Sequence, residues 1–383
     1  MPLPHAFVPD FYKGNYADLA RLSDEDALEH YRAEGIASGH FASPAAERGY
    51  LLSFARAEGS ILEIGPFHAP SLVGDNVRYM DVLTSEELIE AVKQAGHDTS
   101  NVPKIHYVAP KGGFDMVDRT FSAVFSGHCI EHQPDLVRHF QGVSSILDDD
   151  GRYYIACPDR RYCFDHYIPE TAVVDILAAY HQKRKFHQPR SFIAQRLHRA
   201  HNDPDRHWSG DHGVQPYEGY KNPEREIFEG LPSEDTYHDT HAWQFTPSSF
   251  FQIMTFLREV GLTDFVVERV YHTRSGTQEF TAVLRKGQHV IDKNEAFIEP
   301  MPLRDYVVLL KNRKSHSESE LTNLRSENSR SEIEIVNLKK AQSNAETEIS
   351  RLRSELNKVY SSRSWTMTRL LRTVASHLGM SRT

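Results

Sequence analysis

The feature that most constrains the fold is an alternation of short apolar runs with amphipathic stretches over roughly residues 46–290. Ser60-Ile61-Leu62-Glu63-Ile64 is such a run, ending at Gly65, and has the pattern of a strand buried on both faces. Val77–Asp81, Lys104–Val108, Phe121–Phe125 and Gly151–Ala156 read as further strands, with helices at Glu86–Ala95 and Leu136–Leu147. Repeated β-α-β units predict an α/β fold, a Rossmann-like doubly wound sheet with helices on both faces. A later helix is expected at Pro247–Val260, with Thr246 as its cap and Pro247 at its first position. Asp264–Val270 and Gln278–Arg285 read as an antiparallel pair that closes the sheet.

The flanks differ in character. Residues 1–45 read as a small helical module, with Gly35 and Gly39 suited to helix ends and turns. Residues 160–240, rich in His, Arg, Trp and Tyr, interrupt the alternation as an insertion on the substrate side. Residues 291–317 read as a linker. Beyond it, alternate steps of three and four from Leu321 reach Leu324, Ile335, Leu338, Ala345, Ile349, Leu352, Leu356 and Val359, a heptad seam over 318–360. The seam predicts a C-terminal coiled coil and a homo-oligomer, with Asn328, Ser331 and Gln342 fixing its register. The tail 361–383 carries Trp365, Leu370 and Leu371 beside Arg363, Arg369 and Arg372, at spacing that suits a cationic amphipathic helix.

Charge and cysteine content narrow the function. A formal net charge of -9 opposes bulk nucleic-acid binding, which needs a basic face. Cys129, Cys157 and Cys163 form neither an even set nor a metal knuckle, so reduced thiols in a cytoplasmic protein are expected. The N-terminus lacks the basic start and apolar run of a signal peptide, and no stretch is apolar enough to span a membrane.

A glycine directly after the first strand, here Gly65, lets the backbone approach a nucleotide-like ligand closely. Asp81, at the end of the second strand, is placed to accept hydrogen bonds from ribose hydroxyls. The full glycine fingerprint of a dinucleotide site is absent. Glu63-Ile64-Gly65, Glu131-His132-Gln133-Pro134-Asp135, Leu147…Gly151 and Ala156-Cys157-Pro158-Asp159 resemble class I S-adenosylmethionine-dependent methyltransferases, over roughly 58–160 and again around 238–285. The resemblance implies S-adenosylmethionine as cofactor, with Glu63, Gly65, Pro66, Asp81 and Gly127 around it and Glu63 near the cationic end of the ligand. Gly65-Pro66-Phe67-His68-Ala69-Pro70 departs from the family by lacking its second and third glycines.

The histidines suggest a second feature. His128, Glu131 and His132 can share one side of a helical turn, and His241 follows later in His238-Asp239-Thr240-His241. This pairing resembles the metal-assisted small-RNA 3′-terminal 2′-O-methyltransferases and the ubiquinone-pathway O-methyltransferases. Carried over, Glu131 and His132 match, His241 is the distal ligand, and His128 replaces a glutamate, which favours Zn²⁺, Mn²⁺, Fe²⁺ or Co²⁺ over Mg²⁺. Without a metal, His241 and His128 are the expected bases for an acceptor hydroxyl, with Asp239 as an orienting partner. The His201–Gly213 stretch suits sugar recognition through Trp208, or a loop that satisfies itself. Arg160 and Arg161 are placed either to meet an anionic substrate or to pair with Asp159 and Asp165.

The first 45 residues and the tail resemble segments of bacterial glycan-synthesis proteins, which implies O-methylation of a glycan or nucleotide-sugar acceptor in surface-polysaccharide synthesis. On that reading the chain works in the cytoplasm beside other glycan-synthesis enzymes, with its tail touching the inner membrane peripherally. Two rivals are a non-catalytic scaffold with a degenerate methyltransferase domain and an RNA-end 2′-O-methyltransferase. Intact Asp81, Glu131 and His241 oppose the first, and the negative charge opposes the second.

Overall fold

The computed structural model describes residues 2–110, 112–214, 220–231 and 238–377. Parts of the 160–240 insertion and the last residues of the tail therefore lie outside the described residues. The chain divides into two compact units, Met1–Met301 and Pro302–Thr383.

The first unit is built on seven strands: β1 (Ile61–Ile64), β2 (Val77–Asp81), β3 (Tyr107–Val108), β4 (Phe121–Gly127), β5 (Leu147–Pro158), β6 (Phe265–Tyr271) and β7 (Glu279–Lys286). Their order in the sheet is β3-β2-β1-β4-β5-β7-β6. β1 to β5 pair in parallel, and β7 runs antiparallel between β5 and β6. This is the Rossmann-like doubly wound sheet with an antiparallel closing strand that the alternation predicts.

The helices of this unit are α1 (Pro9–Asn15), α2 (Asp24–His30), α3 (Arg48–Arg56), α4 (Ser85–Gln94), α5 (Leu136–Ser145), α6 (Val173–Gln182), α7 (Pro189–His198), α8 (Pro204–Trp208), α9 (Pro223–Phe228), α10 (Pro247–Glu259) and α11 (Lys293–Ala296). Strand alternation sends Leu62, Val124 and Ile155 to one sheet face, against Phe140 of α5 and Phe250 and Met254 of α10. Ile61, Ala123 and Tyr154 face the other way, against Leu51 and Phe54 of α3 and Leu88 of α4. Thr246 caps α10 by accepting from the Ser249 N–H, as its sequence predicts.

The N-terminal 45 residues belong to this same unit. Phe7, Tyr12, Tyr31 and Ile298 share a small apolar core. Gly39 has φ +65, and a Cβ there would lie 2.5 Å from the Trp208 ring, so only glycine lets these segments meet.

The second unit is dominated by α12 (Leu303–Ser361), a 59-residue helix. It begins inside the expected linker, because Pro302 supplies a start and no glycine or proline follows to stop it. At about 1.5 Å per residue it runs roughly 90 Å, and none of its residues is buried. Helical bonds from the Thr368 N–H to the Ser364 carbonyl and from the Arg372 N–H to the Thr368 carbonyl run through the described part of the tail. It holds the helices Arg363–Met367 and Arg369–His377, and the Arg372 guanidinium lies 3.5 Å over the Trp365 ring. No helix among the described residues is long and apolar enough to cross a membrane.

Candidate functional site

A cleft of about 490 Å³ opens at the carboxyl ends of β1, β2 and β4, where open parallel sheets hold their ligands. Gly65, Asp81 and Gly127 line it, with Met80, Leu83 and Phe114 supplying apolar wall. Gly65 has φ +69 and donates its N–H to the Met80 carbonyl at 2.9 Å, which turns the chain sharply at the end of β1. Asp81 accepts the Leu83 N–H at 3.1 Å. Its pKa is raised, chiefly by burial, with the Asp239 charge adding to the shift.

Two expected cofactor residues sit elsewhere. The Glu63 side chain is on the opposite face of β1 from Leu62 and Ile64, a consequence of strand alternation. Its two carboxylate oxygens accept the Ser71 and Leu72 N–H groups at 2.7 and 3.0 Å. It therefore pins the loop after β1 from beneath and is not part of the cleft lining. Pro66 is buried outside the lining, and Phe67, at φ +46, takes its place on the cleft wall.

At the inner end of the cleft, Glu131 is 1% exposed and neither of its carboxylate oxygens accepts a hydrogen bond. A buried carboxylate without compensation costs several kcal/mol, so its surroundings are decisive. His132 Nε2 lies 3.6 Å from it and His241 Nε2 4.0 Å. The ligand atoms of Glu131, His132 and His241 all fall within 4.8 Å of one another. Each imidazole is backed by a carboxylate on its far nitrogen: His132 Nδ1 is 2.8 Å from Asp239, and His241 Nδ1 donates to Asp165 at 2.6 Å. Both rings thus turn Nε2 toward Glu131. Burial alone would depress the His132 pKa, yet Asp239 and Glu131 hold it above the ordinary value. Asp239 is held low in turn, first by its hydrogen bond to His132.

This geometry revises two expectations. Asp239 orients His132, and the partner of His241 is Asp165, a residue that sequence reasoning set against the neighbouring arginines. Of those arginines, Arg161 pairs with Asp159 at 2.6 Å, as one of the two readings had it, and Arg160 donates to the Ile168 carbonyl at 2.8 Å. The segment bearing His241 is fixed by backbone bonds from the Ala242 and Trp243 N–H groups to the Glu131 carbonyl.

His128 Nδ1 lies 4.0 Å from Glu131 Oε1, as far as His241 Nε2 does, but His128 is not one of the three residues whose ligand atoms converge. Its backbone is left-handed, φ +51, and its Nε2 lies 2.9 Å from Glu279 Oε2. The Arg48 guanidinium grips the same carboxylate. Burial would raise the Glu279 pKa, but His128 and Arg48 together hold it below the usual range. Arg48 and Glu279 carry no motif and were not singled out in the sequence. Only the register of β7 against β5 brings Glu279 there. His128 also lines a second, polar cleft of about 530 Å³ with Arg48, Asn202, Thr277, Gln278 and Glu279. His128 is thus the junction of the two clefts. One face of the Trp208 ring is covered by Tyr162, which stacks on it at 3.7 Å and 11°.

No protein-family profile matches the chain, and no curated protein matches it in sequence. Solved structures similar to it include the methyltransferase CcbJ from Streptomyces caelestis, at 12% identity and TM-score 0.33 over 64% of this chain and 90% of that one. A SAM-dependent methyltransferase from Aquifex aeolicus is 11% identical with TM-score 0.32, over 69% and 100% of the two chains. An S-adenosylmethionine-dependent methyltransferase from Clostridium acetobutylicum is 10% identical with TM-score 0.34, over 69% and 99%. The functional reading below rests on the strand order, the clefts and the side chains in them.

Proposed function

We propose that this chain is an S-adenosylmethionine-dependent O-methyltransferase whose acceptor is a polyhydroxylated molecule, a sugar of a bacterial surface glycan. The observation that carries the reading is the cleft at the carboxyl ends of β1, β2 and β4, with Gly65 turning the backbone beside it and Asp81 at its wall. S-adenosylmethionine supplies an electrophilic methyl group when bound. Asp81 is suited to accept the two ribose hydroxyls, and Met80, Leu83 and Phe114 to pack on an adenine ring.

The neighbouring cleft supports the acceptor class. Its Arg48, Asn202, Thr277, Gln278 and Glu279 offer donors and acceptors at close spacing, as hydroxyl-rich ligands require. His128 sits where the two clefts meet, with Glu279 orienting its ring, and is the residue placed to take a hydroxyl proton.

Glu131, His132 and His241 fit a divalent cation, since the buried carboxylate lacks hydrogen bonds and both imidazoles carry a carboxylate behind them. Two imidazoles and one carboxylate suit Mn²⁺, Fe²⁺, Co²⁺ or Zn²⁺, and such an ion would lower the pKa of a nearby hydroxyl. The exposed seam of α12, from Leu321 and Leu324 to Leu352 and Leu356, supports self-association through a coiled coil. None of the residues of α12 is buried, and most helical stability in proteins comes from packing an apolar face.

The test is transfer of labelled methyl from S-adenosylmethionine to a panel of nucleotide sugars and glycans. Incorporation into a hydroxyl, lost in His128→Ala, is the expected result. Incorporation unaffected by His128→Ala would remove that residue from the chemistry, and labelling of RNA ends alone would favour the nucleic-acid rival.

A further inference from the structure

The seam of α12 carries more than apolarity. With Leu321 as position a of a heptad, the a positions hold Leu321, Asn328, Ile335, Gln342, Ile349 and Leu356. The d positions hold Leu324, Ser331, Leu338, Ala345, Leu352 and Val359. The large apolar side chains of both rows are exposed. Ile335 with Leu338, and Ile349 with Leu352, set a β-branched residue at a and leucine at d, the combination that favours two parallel strands.

The polar seam residues separate the two possible directions. In a parallel pair in register every seam residue meets its own copy, so Asn328, Ser331 and Gln342 each meet a polar group. In an antiparallel pair overlapping over 321–359, Asn328 faces Leu352, Ser331 faces Ile349 and Gln342 faces Leu338. That arrangement takes three polar groups out of water against hydrocarbon.

The flanking charges separate them more sharply. Glu320, Glu327, Glu334, Glu348 and Glu355 occupy g positions, and Arg325, Glu332, Lys339, Glu346 and Arg353 occupy e positions. In a parallel pair each g residue faces the e residue of the other copy's next heptad. Glu320 then meets Arg325, Glu334 meets Lys339 and Glu348 meets Arg353, with Glu327 and Glu332 as the one like-charged pair. Glu348 already binds Arg351 of its own helix at 2.6 Å, and a carboxylate has lone pairs for a second guanidinium. In the antiparallel pair g faces g and e faces e. Glu327 then meets Glu355, Glu334 meets Glu348, Arg325 meets Arg353, Glu332 meets Glu346 and Lys339 meets itself, every pair like-charged.

We propose that α12 pairs with α12 of a second copy of this chain as a two-stranded, parallel, in-register coiled coil over 321–359. The inference rests on the self-association proposed above and adds the number of strands, their direction and their register. It does not depend on the proposed methyl transfer.

Sedimentation equilibrium of the full-length chain should give twice the 43.9 kDa of one chain. The mass of a single chain would remove self-association itself, whereas a trimer or tetramer would overturn only the two-stranded pairing. Direction is read by Ser331→Cys, which should form a disulfide with its own copy in a glutathione redox buffer; the native cysteines are buried. A dimer that cross-links only when chains carrying Ser331→Cys and Ile349→Cys are mixed is antiparallel and overturns the proposal. The charge pattern gives a test of opposite sign for the two directions. Arg353→Glu, at an exposed position, sets like charges against Glu348 at both edges of the parallel pair and should raise the dimer dissociation constant roughly tenfold. In the antiparallel pair the same change meets Arg325 and tightens association, so an unchanged or lower constant would overturn the proposal.

Discussion

Two histidine clusters use one residue type in opposite ways. At the sheet end, His132 and His241 are backed by carboxylates and face a third, buried one, Glu131. In the insertion, His166 and His207 are backed by backbone carbonyls and face another imidazole. A carboxylate behind an imidazole stabilises its cationic form and raises its basicity, whereas a carbonyl fixes direction without adding a charge. The sheet-end cluster therefore brings a buried carboxylate and two carboxylate-backed imidazoles together, a set suited to a cation. In the insertion cluster, burial holds the His166 and His207 pKa values below the ordinary value.

Substitutions at the sheet end should show the largest effects. Glu131→Gln should weaken Mn²⁺ binding there by more than about a hundredfold, beyond the loss typical of an outer partner. An unchanged Mn²⁺ affinity, read by metal analysis after dialysis, would show that the buried carboxylate is not a ligand. Asp165→Asn keeps the size of the side chain and removes its charge, so Mn²⁺ affinity should fall roughly 10–100-fold. A change of less than twofold would mean that the carboxylate behind His241 is not what prepares it.

Acidity gives a smaller effect with a definite sign. The folded pKa of His132 is raised above its ordinary value, so the stability it contributes is fully present below about pH 6.5. That stability is lost as pH rises through the raised folded value. Metal-free protein should melt at a lower temperature as the pH is taken upward from about 6.5, and His132→Gln should flatten the slope. Metal affinity at this cluster should move the other way and strengthen with pH, because the ion displaces the His132 proton. The smallest effect is expected from ending the chain at Met301. The sheet-end cluster lies in the first compact unit, so its Mn²⁺ affinity should not change, whereas sedimentation should report loss of the proposed coiled-coil oligomer.

Much of the sheet was legible because parallel strands buried on both faces leave unbroken apolar runs, as Ile61–Ile64 and Phe121–Phe125 do. Edges were harder to read. The expected strand at 104–108 shortens to Tyr107–Val108 because the His106 ring, in place of a backbone group, accepts the Tyr79 N–H. β5 begins at Leu147, four residues before the strand predicted at Gly151, through Asp148–Asp150, residues with poor strand propensity. In the site, Asp81 and Gly127 were readable as strand ends, and both line the cleft. Glu63 was misplaced because facing is decided by which side of β1 the loop after it folds under. Asp165, Arg48 and Glu279 were missed for a different reason: each acts through a partner more than 70 residues away in the chain, a relation that no local pattern records.

The central claim is that the cleft at the ends of β1, β2 and β4 holds S-adenosylmethionine, and calorimetric titration of that cofactor into the full-length chain tests it most directly. One equivalent should bind with micromolar affinity, and Asp81→Ala should abolish the heat. No binding to the unmodified chain, or equal affinity in the variant, would contradict the account.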